Sequence, residues 1–240
     1  MVQIKGKWAL VTGASRGVGQ QISIGLARLG VNLVLHSSNL DNQSDTREKL
    51  AAYSVSVHSV AGSLADPGSI SSFVAEAEKL SGGIDIVYNN AALMTPWTDL
   101  FDTPQQDYQN SFQINLFSMI QICSYFAPKM KAQGFGRIIN VTSGIKDTPH
   151  LDAYSVSKAA VDKYTRDLGV ELAGSGVLAN MLDPGWCRTD LGGPDAYNDV
   201  SSVLPGALIP AMITKEEPES PKGVLFVAQD YIGVKLEYIE

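Results

Sequence analysis

The chain has 240 residues, 45% of them hydrophobic and 18% charged, with a formal net charge of −7. That length is enough for one sizeable core, and the composition is that of an ordinary globular protein. The acidic balance excludes the basic footprint of a nucleic-acid binder, and no apolar run approaches the roughly 20 residues that span a bilayer.

Lys5 and Lys7 lead straight into a continuous apolar run, Trp8 to Val11, so a buried strand is expected here and a secretory leader is not. After a glycine turn, Gly17 to Leu29 reads as a helix with Ile22, Leu26 and Leu29 on one face, stopped by Gly30. Leu33 to Leu35 is the second strand. Asp45-Thr46-Arg47-Glu48 resembles a capping box opening a short helix that ends near Tyr53. Val55 to Val60 is a third strand, and Asp66-Pro67 supplies a cap and a first-turn proline for a helix to about Leu80. Ile84 to Tyr88 is the fourth strand. A long helical region then runs from Thr103-Pro104 to about Lys131, ended by Gly134 and Gly136. Arg137 to Val141, a helix from about Leu151 to Ala173, and strands at Val177 to Leu182 and Val224 to Val227 complete the pattern. The alternation predicts an α/β fold: a single domain with a doubly wound, Rossmann-like parallel sheet of about seven strands. A Ser/Pro/Gly-rich stretch lies within a candidate lid at roughly 190–215. Cys123 and Cys187 match no metal spacing, and a reducing, cytoplasmic setting is expected.

Thr12-Gly13-Ala14-Ser15-Arg16-Gly17-Val18-Gly19 sits between the first strand and the first helix. Glycines there allow a tight turn and let backbone N–H groups approach a pyrophosphate at the positive end of the helix dipole. NAD sites place an acid about 20 residues further on. Here that position reads His36-Ser37-Ser38-Asn39, and no Asp or Glu precedes Asp41. Ser37, Ser38 and Arg16 are therefore candidates to receive a 2′-phosphate, which favours NADP(H), with NAD(H) still possible. Arg16 also reads as an ordinary solvated residue at a helix start.

Tyr154 and Lys158 stand four apart on a predicted helix and so share a face. Alone, such a pair is an ordinary helix surface. Ser143 follows the fifth strand, on the side of the sheet where ligands bind. Taken together, Thr12-Gly13-x-x-x-Gly17-x-Gly19, Asn89-Asn90-Ala91-Ala92, Asn115, Ser143, Tyr154-x-x-x-Lys158 and Pro184-Gly185-x-x-x-Thr189 occur in that order. This series resembles the short-chain dehydrogenase/reductase family over nearly the whole chain.

The resemblance implies that Tyr154 protonates a carbonyl oxygen as hydride arrives from a nicotinamide. It implies that Lys158 holds the nicotinamide ribose and makes Tyr154 more acidic. A free phenol titrates at about 10, and bringing it near neutral requires about 3–4 kcal/mol, which a nearby cation in a partly dry site supplies. Ser143 would hydrogen-bond the substrate oxygen and Asn115 would position a relay water. Asn90 and Ala91, with Ala92, would line the adenosine ribose, and Ser63 and Leu64 the adenine. Pro184, Gly185, Cys187 and Thr189 would fix the carboxamide. Ala92 stands where the family has glycine, Ser63 where it has an acid, and Thr142 is the weaker occupant of the serine role.

The expected partner is a small carbonyl or alcohol, met by a partly apolar wall that includes Met94, Trp97, Ile145 and Trp186; core or lid packing explains these residues equally well. Lys146 and His150 are candidates to meet an anionic group. The resemblance also implies a homodimer or homotetramer through the two long helices. Ile114, Phe117, Ile120 and Val161 would supply apolar surface for that contact or belong to the core. Two other readings stay open: an NAD-dependent sugar or polyol dehydrogenase, and a non-catalytic NAD(P)-sensing module.

Overall fold

The computed structural model describes residues 1–145, 147–214 and 223–236. Seven strands form one parallel sheet: β1 (Trp8–Thr12), β2 (Asn32–Ser37), β3 (Val57–Ala61), β4 (Ile86–Asn89), β5 (Gly136–Val141), β6 (Val177–Asp183) and β7 (Leu225–Val227). Their order is β3-β2-β1-β4-β5-β6-β7. The strand order reverses between β1 and β4, and a crevice opens at the carboxyl ends of the strands on either side of such a reversal.

Continuous apolar runs make these strands because both faces are covered. Ala9, Val11, Leu33, Leu35, Ile86, Tyr88 and Ile139 enter one core with Ile22, Leu26 and Leu29. Leu10, Val34, Val87 and Ile138 enter the other with Phe73 and Phe126. The period-two alternation thus divides each strand between two apolar layers rather than between core and water. Helices α1 (Gly17–Arg28), α2 (Ser44–Leu50), α3 (Pro67–Ser81), α4 (Gln105–Ser111), α5 (Ser118–Gln133), α6 (Asp152–Glu171) and α7 (Ile209–Met212) supply the rest.

Helix ends follow local chemistry closely in α3. The Asp66 side chain accepts from the Gly68 N–H at 2.9 Å, Pro67 opens the helix, and Gly82 ends it in the left-handed region. The expected capping box at α2 does not form. The helix begins at Ser44 without a side-chain cap, and Asp45 instead accepts from Gln20 and Lys49, each at 2.7 Å. A tertiary contact to α1 replaces the local cap.

The long helical region is also broken. Residues Phe112–Phe117 form a π-helical segment between α4 and α5, with Asn115 inside it. Such segments re-aim side chains at functional positions. Gly134 closes α5, whereas Gly136 is the first residue of β5 and not a stop. Val161 is core, while Phe117 is half exposed. Among the described residues, no helix is long and apolar enough to cross a membrane.

Candidate active site

At the end of β1 the chain turns through Gly13 (φ 65°) and Gly17 (φ 59°), both in the left-handed region that favours glycine. A Cβ on Gly19 would overlap the Gly13 carbonyl and lie 2.6 Å from Asn90 Nδ2. Thr12 Oγ1 accepts from the backbone N–H groups of Asn90 (3.0 Å) and Ala91 (3.1 Å), and Asn90 Nδ2 donates to the Thr12 carbonyl at 2.9 Å. The β1 and β4 turns are therefore stitched together across the strand-order reversal. The first turn of α1 carries no acid and no side-chain cap, so its N–H groups keep a positive potential toward the cleft.

That cleft has a volume of about 440 Å³. Gly13, Ser15, Arg16, Gly17, Val18, His36, Ser37, Ser38, Ser63, Leu64, Asn90, Ala91, Ala92, Tyr154, Lys158, Pro184 and Thr189 all line it. The glycine cradle, and the elongated wall running from His36 to Tyr154, fit a dinucleotide. Gly19 lies behind the cradle, and Gly185, Cys187, Asn115, Ser143, Met94, Ile145 and Trp186 are off the lining. Asp190 and Leu191, at the start of the candidate lid, and Thr142 line it too; sequence reasoning missed Asn42, Gly62, Ala65, Ile114 and Val141 as cleft residues.

Around β2 the hydroxyls are not equally available. Ser37 Oγ donates to the Asn39 carbonyl (2.5 Å) and accepts from Gln43 Nε2 (3.0 Å). Ser38 is exposed on the cleft wall. His36 is buried against Phe73, with ring centroids 4.1 Å apart; burial pushes its imidazole down to about 4, partly offset by its contact with the Gly62 carbonyl. A neutral imidazole, not a cation, lines this wall. Arg16 does not stand free either, because its Nε pairs with Asp190 at 2.9 Å. The strand end carries no acid, yet folding brings one carboxylate to the glycine turn from 174 residues away, from the start of the candidate lid.

Tyr154 and Lys158 project from one face of α6 and are both buried. Lys158 Nζ donates to the Val141 carbonyl at 2.8 Å and sits 5.7 Å from the Tyr154 ring centroid. The side chains alone do not make the phenol more acidic, contrary to expectation. Burial raises Tyr154 to about 12, opposed by its hydrogen bond with Ser143 and reinforced by the Asp183 carboxylate. Burial lowers Lys158 to about 8, opposed by Asp162. The hydroxyl bonded to the phenol belongs to Ser143; Thr142 Oγ1 is buried without a hydrogen-bond partner.

Asn115 holds structure directly. Its Oδ1 accepts from the Leu93 N–H (2.7 Å), and its Nδ2 donates to the Leu93 carbonyl (2.8 Å) and to Ser157 Oγ (2.9 Å). Its side chain is thus occupied by the loop after β4 and by α6. His150 stacks on Trp97 with centroids 5.0 Å apart, and its Nε2 lies 3.3 Å from Asp99; Lys146 lies outside the described residues.

The family model for short chain dehydrogenases matches residues 7–198. The chain belongs to the short-chain dehydrogenase/reductase family. It is 32% identical over 197 residues to a short-chain type dehydrogenase/reductase of Picea abies, covering 78% of this chain and 72% of that protein. It is likewise 32% identical to the 2-dehydro-3-deoxy-L-rhamnonate dehydrogenase (NAD(+)) of Sphingomonas sp., covering 75% of this chain and 71% of the other. An NADPH-dependent aldehyde reductase-like protein of Arabidopsis thaliana is 29% identical and covers 95% of this chain and 86% of its own. Two solved structures share the fold. One is NAD+-bound xylitol dehydrogenase (TM-score 0.82, 22% identity, 94% and 98% of the two chains). The other is a metagenomic short-chain oxidoreductase in complex with NADP (TM-score 0.78, 24% identity, the same coverage). As a member of this family, the short-chain dehydrogenase/reductase described here is an NAD(P)-binding oxidoreductase.

Proposed function

We propose that the chain is an NADP(H)-dependent oxidoreductase that interconverts a small carbonyl compound and its alcohol, with Tyr154 moving the proton at the substrate oxygen. The observation that carries this reading is the placing of Tyr154 and Lys158, one turn apart on α6, at the same cleft that the Gly13 turn cradles. Gly13, Ser15, Gly17 and the α1 N-terminus would hold the pyrophosphate, Asn90 and Ala91 the adenosine side, and Pro184 and Thr189 the nicotinamide end. When bound, the dinucleotide supplies or accepts the hydride. Tyr154, protonated at neutral pH, donates to the carbonyl oxygen during reduction. Ser143, already bonded to the phenol, orients that oxygen, and Lys158, cationic below about pH 8, anchors the ribose and replenishes charge behind the phenol. Asn115 keeps the Leu93 loop and α6 in register for this arrangement.

The absence of a carboxylate at the end of β2, the exposed Ser38 and the nearness of Arg16 support NADP(H). The Arg16–Asp190 pair and the NAD(+)-named relative from Sphingomonas favour the second reading, an NAD-dependent sugar or polyol dehydrogenase. Met94, Ile145 and Trp186, off the cleft lining, are proposed as a partly apolar wall toward the reacting end, and residues 190–215, of which 215 lies outside the described residues, as a lid over it. Retention of all four polar side chains argues against a purely sensing module. A homo-oligomer is proposed through the two long helical regions, where Phe117, just before α5, and Val156 and Val170 of α6 are exposed. The test is a comparison of NADPH and NADH dissociation constants, with a panel of ketones and aldehydes followed by NADPH absorbance. Tyr154→Phe should lower turnover by at least about a hundredfold with cofactor affinity kept. Unchanged turnover in that variant, or NADH binding tenfold tighter than NADPH, overturns the reading.

A further inference from the structure

The glycine turn is held from behind by α2. Thr46 is fully buried there, and its hydroxyl lies 2.9 Å from the Ala14 carbonyl and 3.1 Å from the Ser15 carbonyl. Gln20 Nε2, from the first turn of α1, donates to the same hydroxyl at 2.9 Å. An amide nitrogen can only donate, so the Thr46 proton is left for the two carbonyls. The amide is oriented in turn: Lys49 Nζ donates to Gln20 Oε1 at 3.0 Å, and Asp45 Oδ2 accepts from Gln20 Nε2 at 2.7 Å. A directed chain of hydrogen bonds thus runs from the Lys49 ammonium through Gln20 and Thr46 to the turn, and each bond in such a chain polarises the next.

A trans peptide unit is planar, and its C=O and N–H point in opposite directions. The Ala14 carbonyl shares its unit with the Ser15 N–H, and the Ser15 carbonyl shares its unit with the Arg16 N–H. Pinning both carbonyls against α2 turns those two N–H groups the other way, to the side where Ser15 and Arg16 line the cleft. The Ala14 N–H is taken by the His36 carbonyl at 3.0 Å, whereas among the described residues neither the Ser15 nor the Arg16 N–H has a protein acceptor. Successive unpaired N–H groups leading into a helix make a concavity for anions. We infer that Thr46, with Gln20 behind it, is a positioning residue for the phosphate groups of the dinucleotide. It acts through the Ala14–Arg16 backbone and touches no ligand itself. The inference rests on the dinucleotide-binding reading of the cleft and names the side chains that aim its donors.

The experiment compares the full chain with Thr46→Val, which keeps the side-chain shape without the hydroxyl, and Thr46→Ser, which keeps the hydroxyl without the methyl. Dissociation constants for NADPH and NADH are measured by fluorescence titration, beside the urea midpoint of each chain. For whichever dinucleotide the wild type binds more tightly, Thr46→Val should weaken binding by about tenfold and Thr46→Ser by less than about twofold. A residue that only packs α2 against α1 would give affinities that follow the urea midpoint and not the hydroxyl. That pattern, or unchanged affinity in Thr46→Val, overturns the inference. Gln20→Met removes the donor behind the hydroxyl and serves if Thr46→Val does not fold; it should weaken binding by about threefold, and unchanged affinity there overturns the inference equally. If the wild-type chain binds neither dinucleotide, the oxidoreductase reading fails separately. The backbone amide resonances of Ser15 and Arg16 then decide: they should move in Thr46→Val and hold in Thr46→Ser, and resonances unmoved in Thr46→Val overturn the inference.

Discussion

Arg16 and Asp190 form an ion pair of 2.9 Å between the glycine turn and the start of the candidate lid. A Cβ on Gly17 would lie 3.3 Å from Thr189 Cγ2, so the two segments also touch beside the pair. Both charged side chains are well exposed, at 71% and 74%, and the pair itself is worth little to stability. Its consequence lies in competition. A 2′-phosphate that binds Arg16 must displace Asp190 or accept its repulsion. Asp190→Asn should therefore tighten NADPH by about threefold and leave NADH unchanged, with the gain shrinking in high salt. Fluorescence titration of both dinucleotides checks this; equal changes for the two would detach Asp190 from cofactor choice.

This pair also marks where the sequence stopped being readable. The parallel sheet was legible because Trp8 to Val11, Leu33 to Leu35 and Val177 to Leu182 are apolar without interruption, a pattern only a doubly covered strand needs. The cradle was legible because Gly13, Gly17 and Gly19 fall between a strand and a helix. Asp190 was placed at the start of the candidate lid, but its pairing with Arg16 was invisible, since nothing local links the two. The same is true of the bonds from Thr46 to Ala14 and Ser15, which form only when α2 packs on α1. The π-helical segment at Asn115 was missed because a register change of one residue leaves the apolar periodicity nearly intact. The Asp45 box failed for a related reason: Gln20, 25 residues away, competes for the carboxylate.

Gly19 supports a second prediction. The Gly13 carbonyl and Asn90 Nδ2 fill the space where its side chain would stand. Gly19→Ala must push the turn away from β4 or shift α1. Overpacking of this kind costs about 1–3 kcal/mol, and here it falls on the phosphate cradle. NADPH affinity should drop at least about tenfold (roughly 1.4 kcal/mol) with the circular dichroism spectrum retained. Wild-type affinity in this variant would show that the turn is not the cradle.

His36 sets a pH window for stability. Its folded value, about 4, lies below its ordinary 6.5, chiefly through burial. Below pH 6.5 the unfolded chain binds a proton that the folded chain refuses, so stability falls as pH drops from 6.5 to about 4. The full loss is about 3 kcal/mol. Urea midpoints measured across that range should decline in the wild type and flatten in His36→Leu. The upper part of that window, from about pH 5.5 to 6.5, lies above the ordinary range of carboxylates, so an undiminished slope there in the variant would assign the decline to another group.

Lys158 makes the opposite demand on stability and on function. It is 3% exposed, and its folded value is lowered by burial from 10.5 to about 8. Below pH 8 the folded chain therefore carries the cost of a buried charge, about 3 kcal/mol. Between pH 8 and 10.5 the unfolded chain holds more protons, so this cost is relieved as pH rises through that window. Lys158→Met removes the charge but also the charge-assisted hydrogen bond to the Val141 carbonyl, which is worth about 2 kcal/mol. The variant should be about 1 kcal/mol more stable than wild type at pH 7 and lose that advantage near pH 10, while its turnover collapses. Chemical denaturation at the two pH values measures the first effect and the NADPH assay the second. A variant that is less stable at pH 7 would mean that the ammonium is a structural anchor, and its proposed role at the ribose would lose its energetic basis.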